Sequence, residues 1–340
     1  DPRKRLRDIG EARIYLQDPG ASMVLTSSIP PGFSEAPADS RSAGGRAWIP
    51  WAVAGVMTLA LVAALAIGGG DSQDRGDVPV VFSSIEAPAG AGFHLSGTNP
   101  AQAVFSPDGT RMVYGARSGS ANPDLWLHEL SSPIPQRLPG TSGGSYHFWS
   151  PDGQSIGFYT NGALHIMDLA TETRRQIIVT EGGKGGCWTQ DGQILFPVSA
   201  SSPLSKVDLT SGEVTVITDL SAEPVSNSHR HPRMLDDDSY LFAGRLTDPA
   251  SGPPIAIMVG HLDGSPPIEL MRSESQAEFV GGHLLYLSEA NLIARPLDTE
   301  TLQFTGPPVT LVSDVGRIPG AALALFSCSS QGDLVFHPGY

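Results

Sequence analysis

The chain has 340 residues, enough for more than one domain. Glycine (39) and proline (29) are abundant while charged residues make up only 16%, a balance that excludes a helical bundle and suits many short strands joined by tight turns. The net charge is −14, with fourteen Lys/Arg against twenty-nine Asp/Glu after residue 70, which excludes a nucleic-acid surface on that larger part; two cysteines, Cys187 and Cys328, are too few for a disulfide scaffold and are expected as unpaired thiols.

The first segment, DPRKRLRDIGEARIYL, spaces Leu6, Ile9, Ala12, Ile14 and Leu16 close to helical periodicity and reads as a short basic amphipathic helix. Its opening, DPRKRLRDIGEA, resembles the close of a bacterial serine/threonine protein kinase domain, where an acidic-Pro pair precedes basic residues and a final helix. The resemblance implies that residues 1–20 end such a domain, and that Arg5 matches the arginine kinases pair with a glutamate of the activation segment. The chain starts on Asp1 rather than Met, so an upstream kinase domain is expected. Within the chain there is no Gly-rich loop followed by a strand Lys, no His-Arg-Asp loop and no Asp-Phe-Gly site. No catalytic residue, cofactor or metal ligand is therefore assigned here, and ATP and magnesium are expected only for the upstream kinase domain.

Residues 21–46 contain SSIPPGFSEAPADSRSAGG, too small, polar and proline-rich to order itself, and read as a disordered juxtamembrane linker. Residues 47–70, AWIPWAVAGVMTLALVAALAIGGG, carry no charge and are long enough for one transmembrane helix, whereas a soluble helix of six turns would show a polar face. Trp48 and Trp51 fit the interfacial belt, and Pro50 is tolerated in a first turn. Arg41 and Arg46 precede the span and Arg75 follows it, which places the N-terminus in the cytoplasm and residues 71–340 outside, in the periplasm of an inner-membrane protein. Ala60, Ala64 and Gly68 form a small-residue pattern, and single-pass signalling implies a homodimer.

Beyond the span one phrase recurs. FSPDGTRMVYGAR at 105–117 and FWSPDGQSIGFYT at 148–160 are followed by CWTQDGQILFPV, PRMLDDDSYLFAG, EFVGGHLLYL and FSCSSQGDLVF. Markers at Asp108, Asp152, Asp191, Asp237, Gly281 and Gln331 are spaced by 44, 39, 46, 44 and 50 residues. Asp-Gly (Asp108–Gly109, Asp152–Gly153, Asp191–Gly192) supplies the positive φ that a hairpin turn needs, and an alternating strand follows each time. A further strand then ends in DLWLHEL, ALHIMDL, PLSKVDL, PIAIMVGHL or NLIARPLD, predicted as the third strand of each unit. A period of 40–50 residues with four strands predicts an all-β propeller over 78–340, with about six blades visible and the last incomplete, its C-terminus expected to be truncated. A β-sandwich would not repeat one turn chemistry at one interval. VPVVFSSIEAPAG at 78–90 reads as one extra strand that closes the ring.

These units resemble the TolB-like (PD40, WD40-like) propeller repeats of bacterial envelope proteins, of which FSPDG and WSPDG are the hallmark. A kinase-like tail, linker, span and TolB-like propeller in that order look like a transmembrane serine/threonine kinase with an external sensor. The expected function is thus an extracytoplasmic propeller that binds an unknown ligand or envelope protein and signals through one helix. The alternatives are a membrane-anchored scaffold without a kinase, and the propeller half of a prolyl-oligopeptidase-like serine peptidase.

Other residue groups have ordinary readings. His229 and His231 near Asp236, Asp237 and Asp238 are the densest set of metal-ligand types, but the acids suit a solvated turn. GTSGG at 140–144 puts Ser142 in a G-x-S-x-G pattern without the flanking strand and helix of a nucleophile elbow. EGGKGG at 181–186 lacks the Ser/Thr and helix of a phosphate loop. Trp126, Phe148, Trp149, Phe158 and Trp188 are expected between sheets.

Overall fold

The computed structural model describes residues 83–224, 226–248 and 252–339, all within one compact unit. The kinase-like tail with Arg5, the linker and the apolar run at 47–70 lie outside the described residues, and among the described residues no helix is long and apolar enough to cross a membrane.

The described chain is all-β, with five complete blades. Blade I holds β1 (Gly92–Phe93), β2 (Val104–Phe105), β3 (Arg111–Arg117), β4 (Asp124–Glu129) and β5 (Gln136–Arg137), with β1 and β2 sharing the inner edge of β3. Blade II is β6 (Ser145–Trp149), β7 (Ser155–Thr160), β8 (Ala163–Asp168) and β9 (Thr173–Val179). Blade III is β10 (Cys187–Trp188), β11 (Gln193–Pro197), β12 (Leu204–Asp208) and β13 (Val214–Val216). Blade IV is β14 (Ser226–Met234), β15 (Ser239–Leu246), β16 (Ile255–His261) and β17 (Ile268–Ser273). Blade V is β18 (Glu278–Val280), β19 (His283–Ser288) and β20 (Asn291–Asp298), whose outer edge takes both β21 (Gln303–Phe304) and β22 (Val309–Val312). All these pairings are antiparallel, and the five predicted third strands are β4, β8, β12, β16 and β20.

The blade count differs from the expectation of about six. The sixth position holds only two hairpins, β23 (Arg317–Ile318) with β24 (Leu323–Ala324), and β25 (Phe326–Cys328) with β26 (Leu334–Phe336). The strand expected over 78–90 is not formed in its described part, residues 83–90. There Pro88 lacks a ladder N–H and accepts from Ala91 in a turn that carries Gly90 at φ 74°.

The core lies in the gaps between blades, and six apolar clusters occupy six gaps. Val113, Leu125 and Leu127 pack on Trp149, Ile156, Phe158 and Met167 between blades I and II. Leu241, Ile255 and Ile257 pack on Leu284, Tyr286 and Ile293 between IV and V. Between the sixth position and blade I, Val335 packs on the layer of Met112 and Tyr114. Middle strands are buried on both faces and read as nearly continuous apolar runs, whereas outer strands such as β9 and β13 are exposed.

Polar groups also bridge every gap. Tyr146 N–H donates to Pro100 O (3.2 Å), Tyr159 Oη–H to Gly185 O (3.0 Å), and His231 N–H to Lys184 O (2.8 Å). Arg233 faces Glu278 across the next gap, Gln276 N–H donates to Ala322 O (3.0 Å), and Gln102 Nε2 donates to Phe326 O (3.2 Å). The ring closes on blade I through this last bond and through Ser330 N–H donating to Pro107 O, without the strand expected from 78–90.

Candidate functional site

The inner strands β2, β6, β10, β14, β18 and β25 surround the central channel, and their C-terminal ends open into a funnel of about 440 Å³. Its wall takes Phe105, Phe148, Trp149, Trp188 and Phe279, together with Pro107 and Pro151. The sequence led to an expectation of these aromatics as core, and Phe158 and Trp126 do pack between sheets; Phe148, Trp149 and Trp188 do so while also facing the funnel. Trp149 is fixed by its Nε1–H, which donates to Val104 O (3.0 Å), and by Arg111, whose guanidinium sits 5.3 Å from the ring centroid.

The funnel floor is an ion pair. Arg233 Nε lies 3.6 Å from Glu278 Oε1, and the Glu278 carboxylate also accepts from Cys328 N–H (3.1 Å). Arg233 Nη1 donates to Gly186 O and Pro232 O, both at 3.1 Å. Burial pushes the Glu278 carboxyl up, and Arg233 opposes that shift. A second cavity of about 20 Å³, room for about one water, is lined by Gln102, His147, His231 and Arg233, and so shares Arg233 with the funnel. His147 donates through Nε2 to Val113 O (2.8 Å), and burial holds its imidazole down at about 4.

The repeat residues position this funnel. Asp152 Oδ1 accepts from Ser150 Oγ–H (2.6 Å) and Gln154 N–H (2.9 Å), while Gly153 takes φ 67°. Asp108 does the same with Ser106 Oγ–H (2.6 Å) and Thr110 N–H (3.0 Å), with Gly109 at φ 72°. Asp191 accepts from Thr189 Oγ–H, with Gly192 at φ 85°. The Ser/Thr two residues before each Asp carries as much of the turn as the Asp-Gly pair does. Sequence reasoning missed it, although it stands in plain view as the S of FSPDG and WSPDG and the T of WTQDG. These hydrogen bonds hold the Asp108 and Asp152 carboxyls below their usual range, so both stay ionised at the funnel end of the ring.

Asp236, Asp237 and Asp238 form the corresponding exposed turn of blade IV, where Asp236 Oδ1 accepts from Asp238 N–H (2.9 Å) and Ser239 N–H (2.7 Å). Asp236 and Asp237 also line the funnel. His229 and His231 are buried away from them: His229 Nδ1 is 2.8 Å from Thr218 Oγ1, and His231 Nε2 is 2.8 Å from Ala321 O. Among the described residues no three His, Cys, Asp or Glu side chains come together in a metal-holding group. Ser142 is exposed in a loop followed by β6 rather than a helix, and its carbonyl accepts from Thr160 Oγ–H (2.6 Å). Cys187 and Cys328 are both free thiols that line the funnel; burial pushes the Cys187 thiol up to about 12 and raises that of Cys328.

The chain matches no protein-family model and no curated protein by sequence. Among solved structures it is similar to an oligogalacturonate lyase from Vibrio parahaemolyticus, with a TM-score of 0.51 and 17% identity over 72% of this chain and 71% of that one. TolB from Acinetobacter baumannii aligns with a TM-score of 0.49 and 17% identity over 62% of this chain and 54% of its own, so the chain spans about half the length of that TolB. A puromycin-hydrolyzing peptidase of Mycobacterium tuberculosis aligns at 0.42 and 15% identity, over 62% of this chain and 40% of its own. At such identities the likeness shows the fold alone, a β-propeller.

Proposed function

We propose that the propeller is a recognition module whose funnel receives a cationic segment of a partner protein, and that it serves as the external sensor of a receptor-type serine/threonine kinase. The observation that carries the first half is the funnel itself: an aromatic wall, a floor sealed by Arg233 and Glu278, and ionised aspartates at the same end. An Arg or Lys side chain entering it meets ring faces and carboxylates together, an arrangement that favours cations. The buried floor carries its own counter-ion, so binding leaves it intact. Support for the second half is the order of segments in the sequence, a kinase-like tail, a linker and an uncharged run of 24 residues before the propeller.

A tri-arginine peptide titrated into the full chain is expected to change tryptophan emission through Trp149 and Trp188, with affinity falling as salt rises. Asp236→Asn with Asp237→Asn should weaken it by about tenfold, the equivalent of roughly 1.4 kcal/mol. Unchanged affinity in that variant would remove the funnel as the site. A periplasm-active reporter fused after Tyr340 is expected to be active, and silence would remove the receptor reading.

A further inference from the structure

The channel's other mouth differs in charge from the funnel. It is formed by the residues that lead into the inner strands, and two cations lie buried there: Lys184, 7% exposed, and Arg230, 4% exposed. Lys184 Nζ donates to Thr98 O (2.6 Å) and Asn99 Oδ1 (3.3 Å) and sits 4.8 Å from the centroid of the Tyr146 ring. Arg230 donates through Nε to Ser228 Oγ (2.7 Å), through Nη1 to Gly320 O (2.8 Å) and through Nη2 to Ala200 O (2.9 Å). Every one of these acceptors is neutral. Among the described residues the ion pairs engage Asp124, Glu269, Glu274 and Glu278, and none reaches Lys184 or Arg230.

Burying a charge without a counter-ion is costly, and a chain with 35 acidic residues has no shortage of carboxylates to place. The charges that act on the pair are of their own sign instead. Burial, with Arg230 as a smaller cause, pulls the Lys184 ammonium down to about 8, and burial followed by Arg245 lowers Arg230. An ammonium has three donors and a guanidinium five, more than these contacts use. Thr98, Asn99 and Gly320, which accept from the two cations, are themselves exposed.

The floor beneath is held in an unusual conformation. Tyr146 and His231 occupy the left-handed region at φ 48° and φ 51°, one on each side of Gly185 at φ 83° in the adjoining blade. Their rings are 5.8 Å apart, and Tyr146 Oη–H donates to Thr98 O (2.7 Å). Side chains rarely adopt this backbone without a local reason. Here it presents the Tyr146 ring to Lys184.

We propose that this mouth is an oxyanion-binding site, in which Lys184 and Arg230 together hold a small carboxylate or phosphate. The two ions share one chemistry, terminal oxygens that accept charge-assisted hydrogen bonds from an ammonium and a guanidinium. The site lies at the opposite end of the channel from the funnel and does not depend on what the funnel binds.

Thermal unfolding of the full 340-residue chain, kept in a non-ionic detergent, tests this with citrate and phosphate, each against chloride at matched ionic strength. The wild-type midpoint is expected to rise by about 2–4 °C with at least one of them, and the arm that responds identifies the source of the oxyanion. Phosphate and citrate also stabilise proteins generally, so the reading is the difference from Lys184→Met under the same salts. That variant should lose the specific rise, keep or raise its midpoint in chloride because a buried unpaired charge is gone, and regain the response as Lys184→Arg. Lys206→Met, which removes a cation from β12 instead, should respond like wild type. A wild-type rise no larger than that of Lys184→Met would overturn the site, as would a Lys184→Met midpoint several degrees lower in chloride, which would make the charge structural.

Discussion

At the scale of single residues, the glycines around Lys184 are set by what approaches them. A Cβ on Gly183 would lie 2.3 Å from the carbonyl oxygen of Pro197 and 2.4 Å from the Tyr159 ring. Neither gives way, because one is backbone and the other is a buried ring pinned by hydrogen bonds to Gly185 O and Pro197 O. Gly183→Ala is expected to lose about 2–3 kcal/mol of stability, read as a lower midpoint in denaturant with an unchanged slope. Replacement without loss would show that the inner edge of blade III can move. The string EGGKGG was legible as glycine-rich and as lacking a phosphate-loop helix, but nothing in it announces the neighbouring blade's tyrosine. The same holds for Lys184, whose burial depends on Thr98 and Asn99, more than 80 residues away.

At the scale of the element, the hairpin between β6 and β7 is a closed polar unit. Ser150 is 5% exposed; its hydroxyl donates to Asp152 Oδ1 and accepts from Ser155 N–H (2.9 Å). Ser150→Ala removes the hydroxyl and takes this acceptor from the half-buried Ser155 N–H, for an expected loss of about 1–2 kcal/mol. Asp152→Asn should cost less, because its carboxylate is solvated and an amide oxygen still accepts from Gln154 N–H. A denaturant series on the two variants checks the order. The repeat was readable because turn chemistry is local: Asp-Gly, the spacing, and the third strands all follow from neighbours in sequence. Where pairing partners are remote, sequence carried less. The inner strand of blade III is only Cys187–Trp188, and 83–90 forms no strand although its apolar residues invite one, since Pro88 and Gly90 turn the chain first. The sixth position came out as two hairpins because the residues after Gly316 pair back on themselves, through Leu325 N–H to Gly316 O and His337 N–H to Leu325 O.

At the scale of the whole molecule, three histidines tie folding to pH. Burial pulls His147 and His229 down to about 4 and His231 to about 3, all from an ordinary 6.5. Their unfolded forms therefore take a proton before the folded ring does. The stability they contribute is complete above pH 6.5 and is lost as pH falls from there toward 4, at about 1.4 kcal/mol per pH unit for each histidine. Glu278, raised by burial, has the opposite sign and returns part of the loss at the acid end. Denaturant unfolding at pH 7.5 and at pH 5.5 should differ by several kcal/mol in favour of the higher pH. Equal stability at the two values would mean that these imidazoles charge in place.

Blades are usually treated as interchangeable modules, yet here each sheet hands a particular group to the next across its gap. Gly185 O receives Tyr159, Glu278 needs Arg233, and Phe326 O receives Gln102. A copy of any one blade spliced into the circle would present its donors to the wrong recipients on both sides. This ring has in that sense given up the capacity to enlarge by duplication, and its diameter is fixed by who bonds to whom.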